Sequence, residues 1–283
     1  PKKGEKKQLI DLVIKNANAV LEQFIIQHAK EKSMTVNAVN ELQKWLMLKK
    51  PPLRIEAYDI SNLQGKEAVG SMVVFENGLP KKSDYRHFKI KTIEGPNDFA
   101  MMAEVIRRRF AHALRDKEII LNGENTTEKV SFATLPDLIL IDGGRGQLHS
   151  ARHELKLLGF DYIPTIGLAK EFEHVFVEDR DEPIIIPRDS EALFLLQRVR
   201  DEAHRFAITY HRKLRNKRTF TSILDTVPGI GKKRRNALYQ HFGSIDKMRA
   251  ASLAELASVP GINHAVAEKL YARLHDGVNN FLN

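Results

Sequence analysis

One carboxylate in this sequence occupies a position that suggests chemistry rather than packing. Asp142 directly follows the aliphatic run Leu138–Ile141, which predicts a short strand buried on both faces. Gly143, Gly144 and Gly146 come next, and glycine lets the backbone turn tightly beside the acid. Carboxylates at this edge of an open α/β sheet commonly bind metals or ligands. A carboxylate that caps the next helix would give the same pattern, so both interpretations stand at this point.

The elements before Asp142 must bring other functional groups to it. Three strands with short, turn-rich connectors predict an antiparallel meander, and a helix and a polar loop follow them. The predicted ranges are 55–61, 68–76 and 83–91 for the strands, 96–116 for the helix and 122–128 for the loop. Asp59 lies in the middle of the first strand, where an acid without a partner is costly. A functional role or a pairing with lysine or arginine would explain it.

The elements after Asp142 lead to a long helix. The predicted ranges are 147–157 for a helix, 165–169, 174–178 and 183–187 for strands or strand fragments, and 190–213 for the long helix, which Ser190 caps. Ahead of all these elements, residues 1–52 predict an N-terminal helical segment of two amphipathic helices that pack on the core. Pro51-Pro52 ends this segment, because proline interrupts helical hydrogen bonding.

Composition limits the kind of partner. The 283 residues suggest about two domains. Forty-five Lys and Arg against 36 Asp and Glu give a net charge of +9 and a pI near 9.5, which favours a polyanion, with nucleic acid ahead of a membrane surface. No segment approaches the roughly 18 apolar residues of a membrane span. The absence of cysteine excludes disulfides and fits a cytoplasmic protein. The chain begins at Pro1 rather than Met, so we expect it to be part of a longer protein.

The order of these elements resembles the RNase H-like fold of nucleases and integrases, an α/β fold with a mixed sheet flanked by helices. In that fold the first and fourth strands are neighbours and the last helix adds a metal ligand, and the matching residues here are Asp59, Asp142 and His204. The resemblance therefore implies a catalytic metal site, in which two divalent ions roughly 4 Å apart would assist phosphodiester hydrolysis. Carboxylates suit Mg²⁺ or Mn²⁺, and the imidazole slightly favours Mn²⁺. Asp201 or Glu202 could replace His204 as the ligand.

Longer strings resemble the UvrC family, the incision subunit of the bacterial UvrABC excision nuclease. These strings are Tyr58–Asn62, Ser71–Phe75, Ser83–Ile90, Leu140–Leu148, Gly167–Lys170, Arg200–Ala207 and His211–Arg212. The resemblance implies that residues 53–217 form an RNase H-like endonuclease domain that cuts damaged double-stranded DNA 5′ to the lesion, with a UvrB-type partner in the full-length family. The family's other nuclease domain and its UvrB-binding segment have no counterpart here. The polar stretch 122–128 departs from the family pattern and should lie away from the site.

The C-terminal part, residues 218–283, contains an internal repeat. Val227–Lys232 returns 32 residues later as Val259–His264, and short predicted helices flank both copies. This resembles a tandem helix-hairpin-helix domain, in which glycine-rich turns bring backbone N–H groups to a phosphate without reading the base sequence. The residues that match this role are Gly229, Gly231, Lys232, Gly261 and Asn263. Asn263 stands where the first copy has Gly231, so the second copy has one glycine fewer at its phosphate contact.

The basic stretch 198–218 precedes this repeat. It holds eight Lys and Arg against two acids, a net of +6, which would attract the phosphate backbone, although a solvated helix face is the ordinary explanation. The sequence therefore predicts a metal-dependent DNA endonuclease with a sequence-independent DNA-binding tail. A catalytically inactive DNA-binding scaffold and another RNase H-like enzyme, such as a junction resolvase, are the alternatives.

Overall fold

The computed structural model describes residues 35–63, 67–93, 95–123, 132–169, 173–178 and 180–275, together with eight helical residues between 10 and 21. The rest of the first predicted amphipathic helix and residues 124–128 of the predicted loop lie outside the described residues. The chain forms two compact units, residues 1–207 and 208–283. In the part of the chain that the structure describes, no helix has both the length and the apolar character needed to cross a membrane.

A mixed sheet of seven strands forms the first unit's centre. The strands are β1 Arg54–Leu63, β2 Glu67–Glu76, β3 Leu79–Pro80, β4 Arg86–Lys89, β5 Leu138–Asp142, β6 Thr165–Ala169 and β7 His174–Val177. Their order is β3-β2-β1-β5-β6-β7, and β4 also pairs with β2. β5 runs parallel to both β1 and β6, whereas the other pairs are antiparallel. The aliphatic run before Asp142 therefore forms a central strand, which is why all five residues of β5 are buried.

Helices cover both faces of this sheet. They are α1 at 35–45, α2 Asp98–Leu121, α3 Arg145–Leu157 and α4 Glu191–Asp225, and the second unit continues with α5 Lys232–Phe242, α6 Ile245–Arg249, α7 Leu253–Ala257 and α8 His264–His275. Ser190 caps α4, because its hydroxyl accepts hydrogen bonds from the N–H groups of Ala192 and Leu193. The structure confirms the predicted fold class, a helix-flanked mixed sheet followed by a small all-α region.

The two faces of the sheet have separate hydrophobic cores, and the alternation of side chains along each strand decides which residue joins which core. Ile55 and Ala57 of β1 pack with α1 and α4, in a core that also contains Leu42. Tyr58 points to the opposite face and packs with α2 and α3. Asp59 is the next residue along β1, so its side chain belongs to the face that α4 covers.

A buried arginine anchors the segment of the chain that leads into β5. Arg109 of α2 is 1% exposed and donates hydrogen bonds to both carboxylate oxygens of Glu56, at 3.1 and 2.7 Å. It also donates to the carbonyls of Phe132 and Thr134, both at 2.9 Å, and Asp116 accepts the Phe132 N–H at 2.8 Å. Burial disfavours the charged guanidinium, but Glu56, Tyr58 and Asp116 together outweigh this effect and raise the pKa of Arg109. The ionised pair therefore holds the end of the α2–β5 connection against the sheet.

The structure corrects several predicted elements. Of the predicted strand 83–91, only Arg86–Lys89 is extended, because a short 3₁₀ turn occupies Lys82–Asp84. The fragment 183–187 forms only one isolated bridge, between Val175 and Ile184. The helix predicted at 190–213 continues to Asp225 and includes the short helix that was predicted just before the first copy of the repeat.

Further comparisons concern one helix range, two short elements and the division of the chain. The helix predicted at 96–116 begins at Asp98 and runs on to Leu121. β3, which has only two residues and so no periodic signal, and α6 were not predicted. The two compact units divide after Ala207, and the predicted domain boundary after 217 lies in the same helix, α4.

Candidate metal centre and DNA interface

Strand pairing places Asp59 and Asp142 side by side. β1 and β5 are parallel, and Tyr58 is the partner of Ile141, so the next residues along the two strands are the two acids. Both are buried, at 5% and 6% exposure. The N-cap of α3 is Gly144, not Asp142, which excludes the helix-capping interpretation of that carboxylate. The pair lies where the sequence predicted a functional site.

His204 of α4 completes the group. Its Nδ1 lies 3.3 Å from Oδ2 of Asp59, and the side chain is 47% exposed. One ligand atom from each of Asp59, Asp142 and His204 lies within 4.8 Å of the others, and among the described residues this is the one cluster of such groups that could hold a metal ion. We call these three residues the candidate triad. The half-exposed imidazole leaves one side of it open to a substrate.

The two neighbouring acids of α4 have other partners. Asp201 accepts hydrogen bonds from Arg200, at 2.9 and 3.0 Å, and its side chain is 68% exposed. Glu202 is held by Arg205 at 2.6 and 2.7 Å, and this contact lowers the pKa of the Glu202 carboxyl despite its partial burial. Of these three residues of α4, His204 is therefore the one that the structure groups with Asp59 and Asp142.

Aromatic residues around β4 hold this part of α4, a role that the sequence did not suggest. Tyr85 is nearly buried, and burial together with the negative charge of Glu202 raises the pKa of the phenol above its usual range. The His87 ring stacks on Phe206 with a centroid distance of 3.8 Å. These contacts lie two residues to each side of His204, so they fix the helical turn that carries it. Tyr85 and His87 both occur in the UvrC-like string 83–90, which was the available signal.

A close backbone approach shapes the loop after Asp142. A Cβ atom on Gly167 of β6 would lie 2.9 Å from the carbonyl oxygen of Gly143, so only glycine fits there without displacing the loop. At Gly144 a Cβ atom would meet nothing within 4 Å. A glycine on the neighbouring strand therefore also fixes the position of this loop.

The donor set of the candidate triad fits a hard divalent cation. Two buried carboxylates this close repel each other, and a cation between them would remove that repulsion. Carboxylate oxygens are the preferred ligands of Mg²⁺ and Mn²⁺, and Mn²⁺ accepts imidazole more readily. An RNase H-like endonuclease domain implies a divalent metal, and the residues present are suited to one.

The second unit contains two hairpins of the same design. In each, a Val-Pro-Gly-Ile turn is closed by an N–H to carbonyl hydrogen bond, from Ile230 to Val227 at 3.2 Å and from Ile262 to Val259 at 3.0 Å. The turn glycines, Gly229 and Gly261, have φ angles of +95° and +84°, which favour glycine because it lacks a Cβ atom. Both isoleucines are buried, so each turn is anchored in the hydrophobic core of the unit.

The two hairpins differ at the start of the following helix. Gly231 is the N-cap of α5 and provides no side-chain hydrogen bond, so first-turn N–H groups of α5 remain available to an anion. Asn263 precedes α8, and its Oδ1 accepts the Val266 N–H at 3.0 Å. The next residue, His264, lies 3.2 Å from the Glu268 carboxylate, whereas Lys232 opens α5 among consecutive basic residues. The first hairpin therefore presents more uncapped N–H groups and more positive charge than the second.

Comparison with known proteins agrees with this geometry. Residues 43–208 match the UvrC RNase H endonuclease domain, and residues 221–276 match the SAM-like helix-hairpin-helix tandem. The chain is 50% identical over 282 residues to UvrABC system protein C of Symbiobacterium thermophilum, covering 95% of this chain and 45% of that protein. It is 47% identical over 274 residues to the Moorella thermoacetica protein of the same name, covering 97% of this chain and 43% of the relative. The chain thus spans less than half the length of these relatives. Because the endonuclease-domain match covers more than half of these 283 residues, the chain belongs to the UvrC family.

Proposed function

We propose that this chain cuts a damaged DNA strand on the 5′ side of the lesion during nucleotide excision repair, as a divalent-metal-dependent endonuclease. The observation that carries the proposal is the candidate triad, whose ligand atoms lie within 4.8 Å of one another in an RNase H-like endonuclease domain. An inactive scaffold would not need two buried acids and a histidine to converge. Family membership argues against a junction resolvase.

Each residue of the candidate triad has a separate task. Asp59 and Asp142 would hold Mg²⁺ or Mn²⁺ on the sheet, and His204 would supply the ligand from α4. The metal, when bound, neutralises charge on the phosphodiester and activates a water molecule. Asp59 and Asp142 are fixed by strand pairing, while His204 depends on the contacts that hold α4. The pairing of β1 with β5 would therefore position two of the metal ligands, and the packing of α4 would position the third.

DNA binding would fall to the hairpins. Gly229, Gly231 and Lys232 of the first hairpin, and Gly261 and Asn263 of the second, offer backbone donors and charge to phosphates without base contacts. The net charge of +9 supports a polyanionic partner. We further propose residues 53–217 as the nuclease domain, 218–283 as the DNA-binding domain and 1–52 as a segment packing on the former. Leu42, which is fully buried in the core, supports the last assignment.

The relatives' name, UvrABC system protein C, indicates a system of several components. We therefore propose that a UvrB-type partner delivers the damaged DNA. The hairpins as described offer phosphate contacts rather than lesion recognition, which fits delivery by another protein.

The test is cleavage of labelled bubble DNA by the purified chain in Mn²⁺, Mg²⁺ or EDTA, with single alanine substitutions of the candidate triad. Asp59→Ala, Asp142→Ala and His204→Ala should each abolish cleavage and leave DNA affinity nearly unchanged, because their task is to hold metal. Asp201→Asn is the matched control, since this exposed acid lies on the same helix outside the candidate triad, and its cleavage rate should be near wild type.

Two results would count against the proposal. If one of the three alanine variants cut at a near-native rate, that residue would not be a ligand. If wild-type protein cut equally well in EDTA, the chemistry would not depend on a divalent metal.

A further inference from the structure

A polar row crosses the sheet on the face that α4 covers. Ser71 of β2 is the direct antiparallel partner of Asp59, and His87 of β4 is the direct partner of Ser71. Directly paired residues project to the same face, with Cβ atoms roughly 4.5–5.5 Å apart. The row therefore leads from Asp59, through Ser71, to the histidine that stacks on Phe206 of α4.

Ser71 is the unexplained member of this row. It is 0% exposed, and its Oγ makes no hydrogen bond to any described residue. A buried hydroxyl without a partner costs free energy, so such groups usually have a reason to be retained. The neighbours of Ser71 on the same face of β2 are apolar, with Val73 at 0% exposure as the next residue inward. Packing alone would be served equally well by alanine.

We infer that Ser71 is a positioning residue of the metal centre, whose hydroxyl orients the Asp59 carboxylate for the cation. The inference rests on the proposed function, since it assigns Ser71 to the same site. A change of side-chain rotamer can turn the Ser71 hydroxyl toward an acceptor on its own face, and its O–H can then donate to that acceptor. A carboxylate that binds a metal retains lone pairs that nearby donors orient, and such outer contacts strengthen metal binding.

The substitution Ser71→Ala separates this role from a structural one. In metal-free protein, loss of an unpaired buried hydroxyl should leave the unfolding temperature unchanged or slightly higher. Mn²⁺ affinity, in contrast, should fall about 10-fold or more, as is usual when an outer contact to a metal ligand is removed. Free Mn²⁺ measured by electron paramagnetic resonance during titration of the full chain gives the affinity without any cleavage assay. If Ser71 only filled space, Ser71→Ala would lower the unfolding temperature and leave the Mn²⁺ affinity unchanged.

Two controls make the outcome decisive. Val73→Ala, on the same face of β2, should lower the unfolding temperature by opening a cavity but leave Mn²⁺ affinity unchanged. Asp59→Ala should abolish tight Mn²⁺ binding. If Asp59→Ala loses Mn²⁺ while Ser71→Ala binds it as wild type does, the inference about Ser71 is overturned and the metal site stands. If Asp59→Ala also binds Mn²⁺ normally, the metal site itself is wrong and the role of Ser71 falls with it.

Discussion

The two hairpins should contribute unequally to DNA binding, and one pair of substitutions tests this directly. Gly231→Val places a side chain where the first hairpin has open space, since a Cβ atom there meets nothing within 4 Å. Its φ of −87° is allowed for valine, so the fold should tolerate the change. Asn263→Val is the matched substitution in the second hairpin. It removes the hydrogen bond to the Val266 N–H, and loss of such a cap costs about 1 kcal/mol of stability.

The expected magnitudes follow from the contacts. A backbone N–H bound to a charged phosphate contributes about 1.5–3 kcal/mol, so blocking one at Gly231 should weaken binding about tenfold or more. Asn263→Val should weaken it less, because Asn263 already occupies the N–H of Val266. Lys232→Ala removes one phosphate contact and should lower the slope of log affinity against log salt by about 0.9. The affinity of Lys232→Ala relative to wild type should therefore be reduced by a factor that is roughly 3.5-fold smaller at 200 mM salt than at 50 mM salt.

The assay is binding of labelled bubble DNA by wild type and the three variants across that salt series. Thermal unfolding of each variant confirms that all are folded at the binding temperature. Equal losses from Gly231→Val and Asn263→Val, or an unchanged salt slope in Lys232→Ala, would show that the first hairpin is not the main anchor.

Three further outcomes are expected. Cleavage by the purified chain should depend on DNA structure rather than sequence, because the hairpins offer backbone donors; efficient sequence-specific cutting of undamaged duplex would contradict this. Gly167→Ala should destabilise the protein by about 1–3 kcal/mol and slow cleavage, whereas Gly144→Ala should do neither in paired unfolding and cleavage assays. Burial opposes ionisation of Glu104, but hydrogen bonds from Thr92 and Lys91 outweigh it and lower its pKa below 4.5. Ionised Glu104 therefore stabilises the folded protein above pH 4.5, and this contribution is lost as the pH falls through the pKa of Glu104 in the folded protein. The free energy of unfolding of Glu104→Gln should therefore fall less steeply as the pH is lowered.

The sequence predicted the parts of the fold that depend on local patterns. The aliphatic run before Asp142 and the alternation around Asp59 are strong periodic signals, and both strands formed where expected. The candidate triad was reached through family resemblance, because spacing along the chain does not show that residues 59, 142 and 204 meet. Their convergence depends on the parallel pairing of β1 with β5 and on the packing of α4, which are long-range contacts.

Other features carried no usable signal. Nothing in the composition of 214–221 distinguishes a helix from a polar linker, so the continuation of α4 to Asp225 was missed. The sequence shows an asparagine at position 263. Only the structure shows that its side chain accepts a hydrogen bond from its own helix. Ser71 looked like an ordinary strand serine, because its lack of a partner is a property of the packed structure.

The anchorage by Arg109 also affects how the chain can change in length. Arg109 and Asp116 fix the chain at Phe132 and Thr134, directly ahead of β5, so the position of Asp142 does not depend on how many residues separate α2 from that point. Lengthening the chain between two fixed points is inexpensive, since doubling the length of a loop costs only about 0.6 kcal/mol. Insertions there can accumulate during evolution while the strand behind them stays in register. A peptide tag inserted between Leu121 and Phe132 should therefore leave Asp142 in place.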